Sequence, residues 1–129
     1  MFQLEEEDLL QDAATAIDFS RNSIRFYKDA WHKIGEPKFV RFLINPERRL
    51  VGISAAEKDQ PNDQTYRINE RIMRQSTSSY EIHSSTLTRK IREEIGIKVD
   101  NGTYRMSGKI IPNHRLAIFH LDTLKHTED

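Results

Sequence analysis

Apolar residues fall in short runs along this chain, and the spacing inside each run predicts its element. Leu10, Ala13, Ala14 and Ile17 recur at helical spacing over residues 3–17, with acids in the first turns that suit the positive end of a helix dipole. An acidic helix is therefore expected within residues 1–18. Residues 23–26 alternate like a half-buried strand, with Ile24 and Phe26 inward. A short helix follows over residues 28–34, closed by Gly35 in the left-handed conformation. Residues 38–44 and 49–53 read as a hairpin around Asn45-Pro46-Glu47-Arg48, with Val40, Phe42 and Ile44 on one face. Residues 57–63 are a polar loop, residues 65–68 a short strand, and residues 75–79 a Ser/Thr-rich linker. Leu87, Ile91 and Ile95 stack on a second helix over residues 86–95, ended by Gly96. Residues 103–106 and 115–121 form a second hairpin through Gly108 and Pro112-Asn113. The expected core takes Ile24, Phe26, Ala30, Ile34, Val40, Phe42, Ile44, Leu50 and Ile53 from the first part. From the second it takes Leu87, Ile91, Ile95, Tyr104, Met106, Leu116 and Ile118.

The two parts share one order: strand, helix, glycine, strand, Pro-containing turn, strand. Phe26, Ala30, Ile34 and Gly35 lie 61 positions before Leu87, Ile91, Ile95 and Gly96, and Ser23 lies as far before Ser84. Pro46-Glu-Arg-Arg-Leu50 matches Pro112-Asn-His-Arg-Leu116 at a spacing of 66. Each part resembles the swapped-hairpin unit of AbrB-type transition-state regulators and related antitoxins. The matching pieces are Ile24-Arg25-Phe26 with Ile34-Gly35 and residues 39–53, then Leu87 with Ile95-Gly96-Ile97 and residues 104–119. Asn22-Ser23 stands where that family has Gly-Arg, and Tyr27 or Thr88 where it has the proline that opens its helix. The expected fold is α+β and β-dominated: a small β-barrel of two β-α-β-β halves, a pseudo-dimer, with the acidic helix docked on it. Residues 1–129 form a single domain, divided into the helix (1–18), a first half (19–56), a connector (57–80) and a second half (81–125).

The net charge of the 129 residues is zero, but it is unevenly spread. Residues 1–18 carry six acids and no Lys or Arg, so the rest of the chain is +6. Charge runs of this kind often meet partners. There is no Cys, which excludes disulfide and thiol chemistry. No apolar stretch approaches the roughly 20 residues of a membrane span. The acidic start has no basic n-region of a signal peptide either, so a cytoplasmic protein without a membrane partner is expected. No P-loop, Gly-x-Gly-x-x-Gly or Gly-x-Ser-x-Gly occurs. The histidines (His32, His83, His114, His120, His126) lack metal-ligand spacing, and His83-Ser84 is adjacency without the geometry of a nucleophile and base. The expectation is a non-enzymatic protein with no cofactor and no metal.

The basic residues carry the functional signal. Arg21, Arg25 and Lys28 lie near one strand, Arg48 and Arg49 at the first hairpin turn, and Arg67, Arg71 and Arg74 at spacings that could align on a helical turn. Such a set suits phosphate contacts. The family resemblance implies a DNA-binding transcriptional regulator. The neutral total charge and the missing family arginine point to an alternative: a protein-binding module of a phage or mobile element that inhibits a nucleic-acid enzyme, in the manner of an anti-CRISPR. The expected partner is DNA or a nucleic-acid-processing protein, and the protein a monomer or homodimer.

Overall fold

The computed structural model describes residues 11–57, 65–75, 79–95 and 102–127. In chain order these give β1 (Gln11–Asp18), β2 (Ser23–Tyr27), α1 (Lys28–Lys33), β3 (Phe39–Asn45), β4 (Leu50–Ala56) and β5 (Thr65–Arg67). There follow α2 (Glu70–Gln75), β6 (Ser79–His83), α3 (Ser85–Ile95), β7 (Thr103–Ile111) and β8 (Leu116–His126). One sheet holds all eight strands in the order β5-β3-β4-β8-β7-β1-β2-β6. Every neighbouring pair is antiparallel, and the sheet curls into a nearly closed barrel. At the seam between the two edge strands, the Tyr66 hydroxyl of β5 lies 2.6 Å from Ser84 Oγ, just past β6. Reading outward from the β4–β8 contact, one side runs β4, β3, β5 and the other β8, β7, β1.

The acidic N-terminal helix is corrected over residues 11–17. Gln11–Asp18 is a strand that pairs with β7 along its whole length. Residues 1–10 lie outside the described residues. Ala13, Ala14 and Ala16 have high helix propensity, but a period of two runs through the same segment: Thr15 and Ile17 point into the core, and Ala14 and Ala16 take the opposite face, where Ala16 is nonetheless covered. Burial between two strands decides between the periods. The Thr15 hydroxyl donates to Arg25 O at 2.8 Å, which satisfies a buried polar group.

The two predicted hairpins are present, as β3–β4 and β7–β8, and their turns are alike. Arg49 (φ 56°) and Arg115 (φ 50°) are both left-handed, and each donates its backbone N–H back to a proline carbonyl, Pro46 O at 3.3 Å and Pro112 O at 3.0 Å. Each guanidinium then reaches a helix that precedes the other hairpin in the chain. Arg49 Nη1 donates to Glu94 O near the end of α3, and Arg115 Nε to Ile34 O at the end of α1, both at 3.0 Å. These are carbonyls that a helix end leaves unpaired, and a cation there also meets the negative end of the dipole. Gly35 closes α1 with φ 96°, as expected, packed beneath the Arg115 side chain.

Asn22 and Thr88 bind each other: Thr88 Oγ1 donates to Asn22 Oδ1 at 2.8 Å. Ser84 N also donates to Asn22 O, so the β1–β2 turn holds the start of α3. The Ser84 hydroxyl caps α3 by accepting from Leu87 N at 3.1 Å. Ser23 instead lies on β2, so the 61-residue match of Ser23 with Ser84 joins a strand position to a helix cap.

The core contains Ile24, Phe26, Ala30, Ile34, Val40, Phe42, Ile53, Leu87, Ile91 and Met106, all expected. Each large side chain so buried contributes about 1.5–3 kcal/mol before conformational entropy is counted. Ile44, Leu50 and Tyr104 are only half-buried, and the side chain of Ile95 lies outside the described residues. On β8 the expected face is reversed: Ala117, Phe119 and Leu121 are buried, and Leu116 and Ile118 face outward. That strand is apolar on both faces over residues 116–119, so alternation alone does not fix its phase.

Candidate nucleic-acid interface

Arg25 follows directly from strand alternation: Ile24 and Phe26 point into the barrel and Arg25 out. Its cross-strand partners on one side are Ala16 of β1, then Arg105 of β7, then Lys125 of β8. Residues in register share a face, so three cations line one row of the outer wall, with a small alanine between the first two. Neighbouring strands lie about 4.8 Å apart, which gives the row a length of about 14 Å. Arg105 and Lys125 are exposed, and Arg25 is half-buried. None of the three has an acidic partner among the described residues. Like charges directly opposite each other cost stability in an antiparallel pair, and Arg105 faces Lys125 in that way. An anion laid along the row removes that repulsion.

At the far end Arg25 faces Glu81, whose carboxylate is already occupied. Arg21 Nη2 donates to Glu81 Oε1 at 3.1 Å, Ser23 Oγ donates to Oε2 at 2.8 Å, and His83 lies 3.5 Å away. Arg21 is thus held at the residue that Arg25 faces across the ladder.

The other predicted cations go elsewhere. Lys28 Nζ donates to Arg74 O at 2.8 Å. Arg74 lies over the buried Trp31 ring, 5.1 Å from its centroid, and bonds Glu36 at 2.8 Å with Glu70 at 3.5 Å. Hydrogen bonds from His32 and Arg74 hold the Glu36 carboxyl below the usual carboxylate range, and the bond to Glu36 raises Arg74. Arg49 is committed to Asp122 Oδ1 at 2.7 Å and to Glu94 O. Arg48 is exposed at the same turn, separated from β2 by β4, β8, β7 and β1 in the sheet order. Arg67 and Arg71 are exposed and share a cleft with Lys38. Arg67 lies at the end of β5, so the expected helical alignment holds only for Arg71 and Arg74, on α2.

Arg105, Lys125 and Lys38 were not among the predicted site residues. Tyr104 and Met106 on the expected core carried a usable signal for Arg105, since the residue between two inward positions must face out. Its placement beside Arg25 depends on β1, the strand that the sequence disguises as a helix.

An open groove of about 900 Å³ lies between β1 and α1, lined by Ala13, Ala14, Tyr27, Trp31, Arg74 and Arg105 among others. It opens because β2 pairs only with Ala16 to Asp18 of β1, while β7 pairs with all eight residues. Among the described residues, Asp12 to Ala14 have a strand partner on one side only. Asp12 bonds Lys109 Nζ at 2.6 Å, which lowers its carboxyl below the ordinary range. Among the described residues no helix is long and apolar enough to cross a membrane. The chain matches no family model, no curated protein and no solved structure.

Proposed function

We propose that the protein is a DNA-binding regulator that carries both halves of a swapped-hairpin dimer in one chain. On this reading Arg25, Arg105 and Lys125 meet the phosphate backbone. The observation that carries it is the row of three outward cations with no acidic partner among the described residues. The pseudo-dimer part draws support from the reciprocal turns, in which Arg49 and Arg115 each hold the helix of the opposite half. The row draws on both halves, Arg25 from the first and Arg105 with Lys125 from the second. It faces one way, so it suits one groove of a duplex better than a palindromic pair of half-sites.

A salt titration of binding to mixed-sequence duplex DNA tests the reading. Three phosphate contacts give a log–log slope of about −3, and Arg105→Glu should flatten it by about one unit while weakening binding to all sequences alike. Absence of binding at about 50 mM salt would sink the proposal.

The alternative is a protein-binding module that inhibits a nucleic-acid enzyme. It is favoured by the one-sided edge of β1 beside the 900 Å³ groove, where an extended segment of that enzyme could add as a strand. An Ala14→Pro variant should abolish such an interaction and leave duplex binding intact.

A further inference from the structure

The barrel seam holds a second basic feature, away from the row. Between β5, α2 and β6 lies a cleft of about 610 Å³. Lys38, Arg67 and Arg71 line it, all three exposed, and none has an acidic partner among the described residues. Glu70 is its one acidic lining residue, and it is drawn to Arg74 at 3.5 Å. Asn69 accepts from Ile72 N through Oδ1, which leaves its amide hydrogens to donate. Phe39 and Tyr80, both half-buried, supply the cleft's aromatic surface.

We infer that this cleft is a binding site for a phosphate group borne on a nucleoside, with Arg67, Arg71 and Lys38 on the phosphate and Phe39 and Tyr80 beside the base. Two guanidinium forks and an ammonium around one hollow match the oxygens of a phosphate monoester, which accept several charge-assisted hydrogen bonds at once. An aromatic wall next to such a group takes a flat base by stacking, and does so without sequence preference. The cleft lies where β5 and β6, the two edges of the sheet, fail to pair, so a ligand there would bridge the seam and tie α2 to both edges. The inference stands apart from the duplex reading, since it uses none of Arg25, Arg105 or Lys125.

The source of the phosphate is either a free mononucleotide or the 5′ end of a strand, and the test separates them. Thermal melts and isothermal titration would be run at low salt with inorganic phosphate, a nucleoside 5′-monophosphate, the matching nucleoside, and a single-stranded oligonucleotide with either a 5′-phosphate or a 5′-hydroxyl. The monophosphate is expected to raise the melting temperature and to bind at least tenfold more tightly than inorganic phosphate or the nucleoside. Arg71→Gln and Arg67→Gln should each weaken it at least tenfold, with the ligand-free melt unchanged because both side chains are exposed. Arg105→Gln should leave nucleotide binding as it was. Preference for the 5′-phosphorylated oligonucleotide over the mononucleotide assigns the site to strand ends, and the reverse assigns it to free nucleotides. Equal binding of monophosphate and nucleoside, or binding that survives Arg71→Gln, would overturn the inference. Loss of duplex binding in Arg105→Glu together with intact nucleotide binding would leave it standing, and the opposite pattern would remove it alone.

Discussion

The β3–β4 and β7–β8 hairpins place their core aromatic ring on opposite strands. In the first, Phe42 of β3 is opposite Ile53 of β4; in the second, Gly108 of β7 is opposite Phe119 of β8. At the 66-residue spacing that aligns the two Pro-x-x-Arg turns, Phe42 corresponds to Gly108 and Ile53 to Phe119. Each pair therefore places one aromatic ring in the core, from either side of the ladder, and all three large side chains are buried. Residues in register share one volume, so the ring can come from either strand; the first pair also holds the Ile53 side chain, where the second has none on Gly108. The turns behave differently. Both keep an arginine in the left-handed region, where a non-glycine residue costs about 1–2 kcal/mol. A glycine would be easier there but could not reach the opposite helix.

The sharpest way to break this comparison is at Gly108. A Cβ there would lie 1.8 Å from Ile118 O, a backbone atom that can yield only if the ladder opens. Gly108→Ala should cost more than about 3 kcal/mol, or prevent folding. At Gly52 on β4 the nearest atom would be Leu116 Cδ1 at 3.4 Å, which is ordinary contact, so Gly52→Ala should change stability by less than about 1 kcal/mol. Denaturant melts of the two variants check the contrast; similar losses in both would show that the close approach of β7 to β8 is not what Gly108 serves.

The next largest effects are expected at the turns. Arg49 has two partners, Asp122 and Glu94 O, whereas Arg115 has Ile34 O as its side-chain partner among the described residues. Hydrogen bonds to a charged group contribute about 1.5–3 kcal/mol where they are partly buried, and exposed ion pairs add little. Arg49→Ala should therefore cost about 2–3 kcal/mol and Arg115→Ala about 1–2 kcal/mol. Replacing either arginine with glycine should recover about 1 kcal/mol of that loss by relieving the left-handed strain. Equal stability of the Ala and Gly variants would mean that the turn has relaxed out of the left-handed region.

Much of this architecture was legible because period-two alternation and turn chemistry are local. Val40 and Phe42, Pro46, and Pro112 are enough to place two hairpins, and Leu87 with Ile91 is enough to place α3. What escaped depended on distant partners. Ala13 to Ile17 satisfies the helical and the extended period together, and only the slot between β2 and β7 selects the strand. Leu116 to Phe119 is apolar on both faces, so the sense of β8 is fixed by its register with β4 and β7, which turns Ala117 and Phe119 into the core. The candidate site followed the same division. Arg25 was found from its neighbours in sequence, while Arg105 and Lys125 join it only through the register of β1 with β7 and β7 with β8. Arg49 and Arg74, read from the sequence as candidate phosphate contacts, bond Glu94 O and Glu36 at the ends of α3 and α1.

The smallest expected effect separates the two helices by what holds them. α3 has eleven residues and is pinned at its start by Ser84, Thr88 and Asn22, hydroxyl and amide groups that do not titrate in the acid range. α1 has only six residues, too few to be stable alone, and just past its end Glu36 accepts from His32 Nδ1 and Arg74, each at 2.8 Å. The hydrogen bonds from His32 and Arg74 lower the Glu36 pKa below its unfolded value, so the carboxylate stabilises the folded state fully above the unfolded pKa. That contribution is lost as the pH falls from there through the lowered folded value. Acidification below about pH 4.5 should therefore loosen α1 before α3. Hydrogen exchange read at acid and at neutral pH checks this, with the α1 amides losing protection relative to those of α3. Glu36→Gln should remove the difference, lowering the neutral-pH melting temperature by a few degrees at most and leaving the acid melt near that of the parent. If the variant keeps the parent's acid sensitivity in α1, a group other than Glu36 responds to pH, and Glu36 is only a surface ion pair.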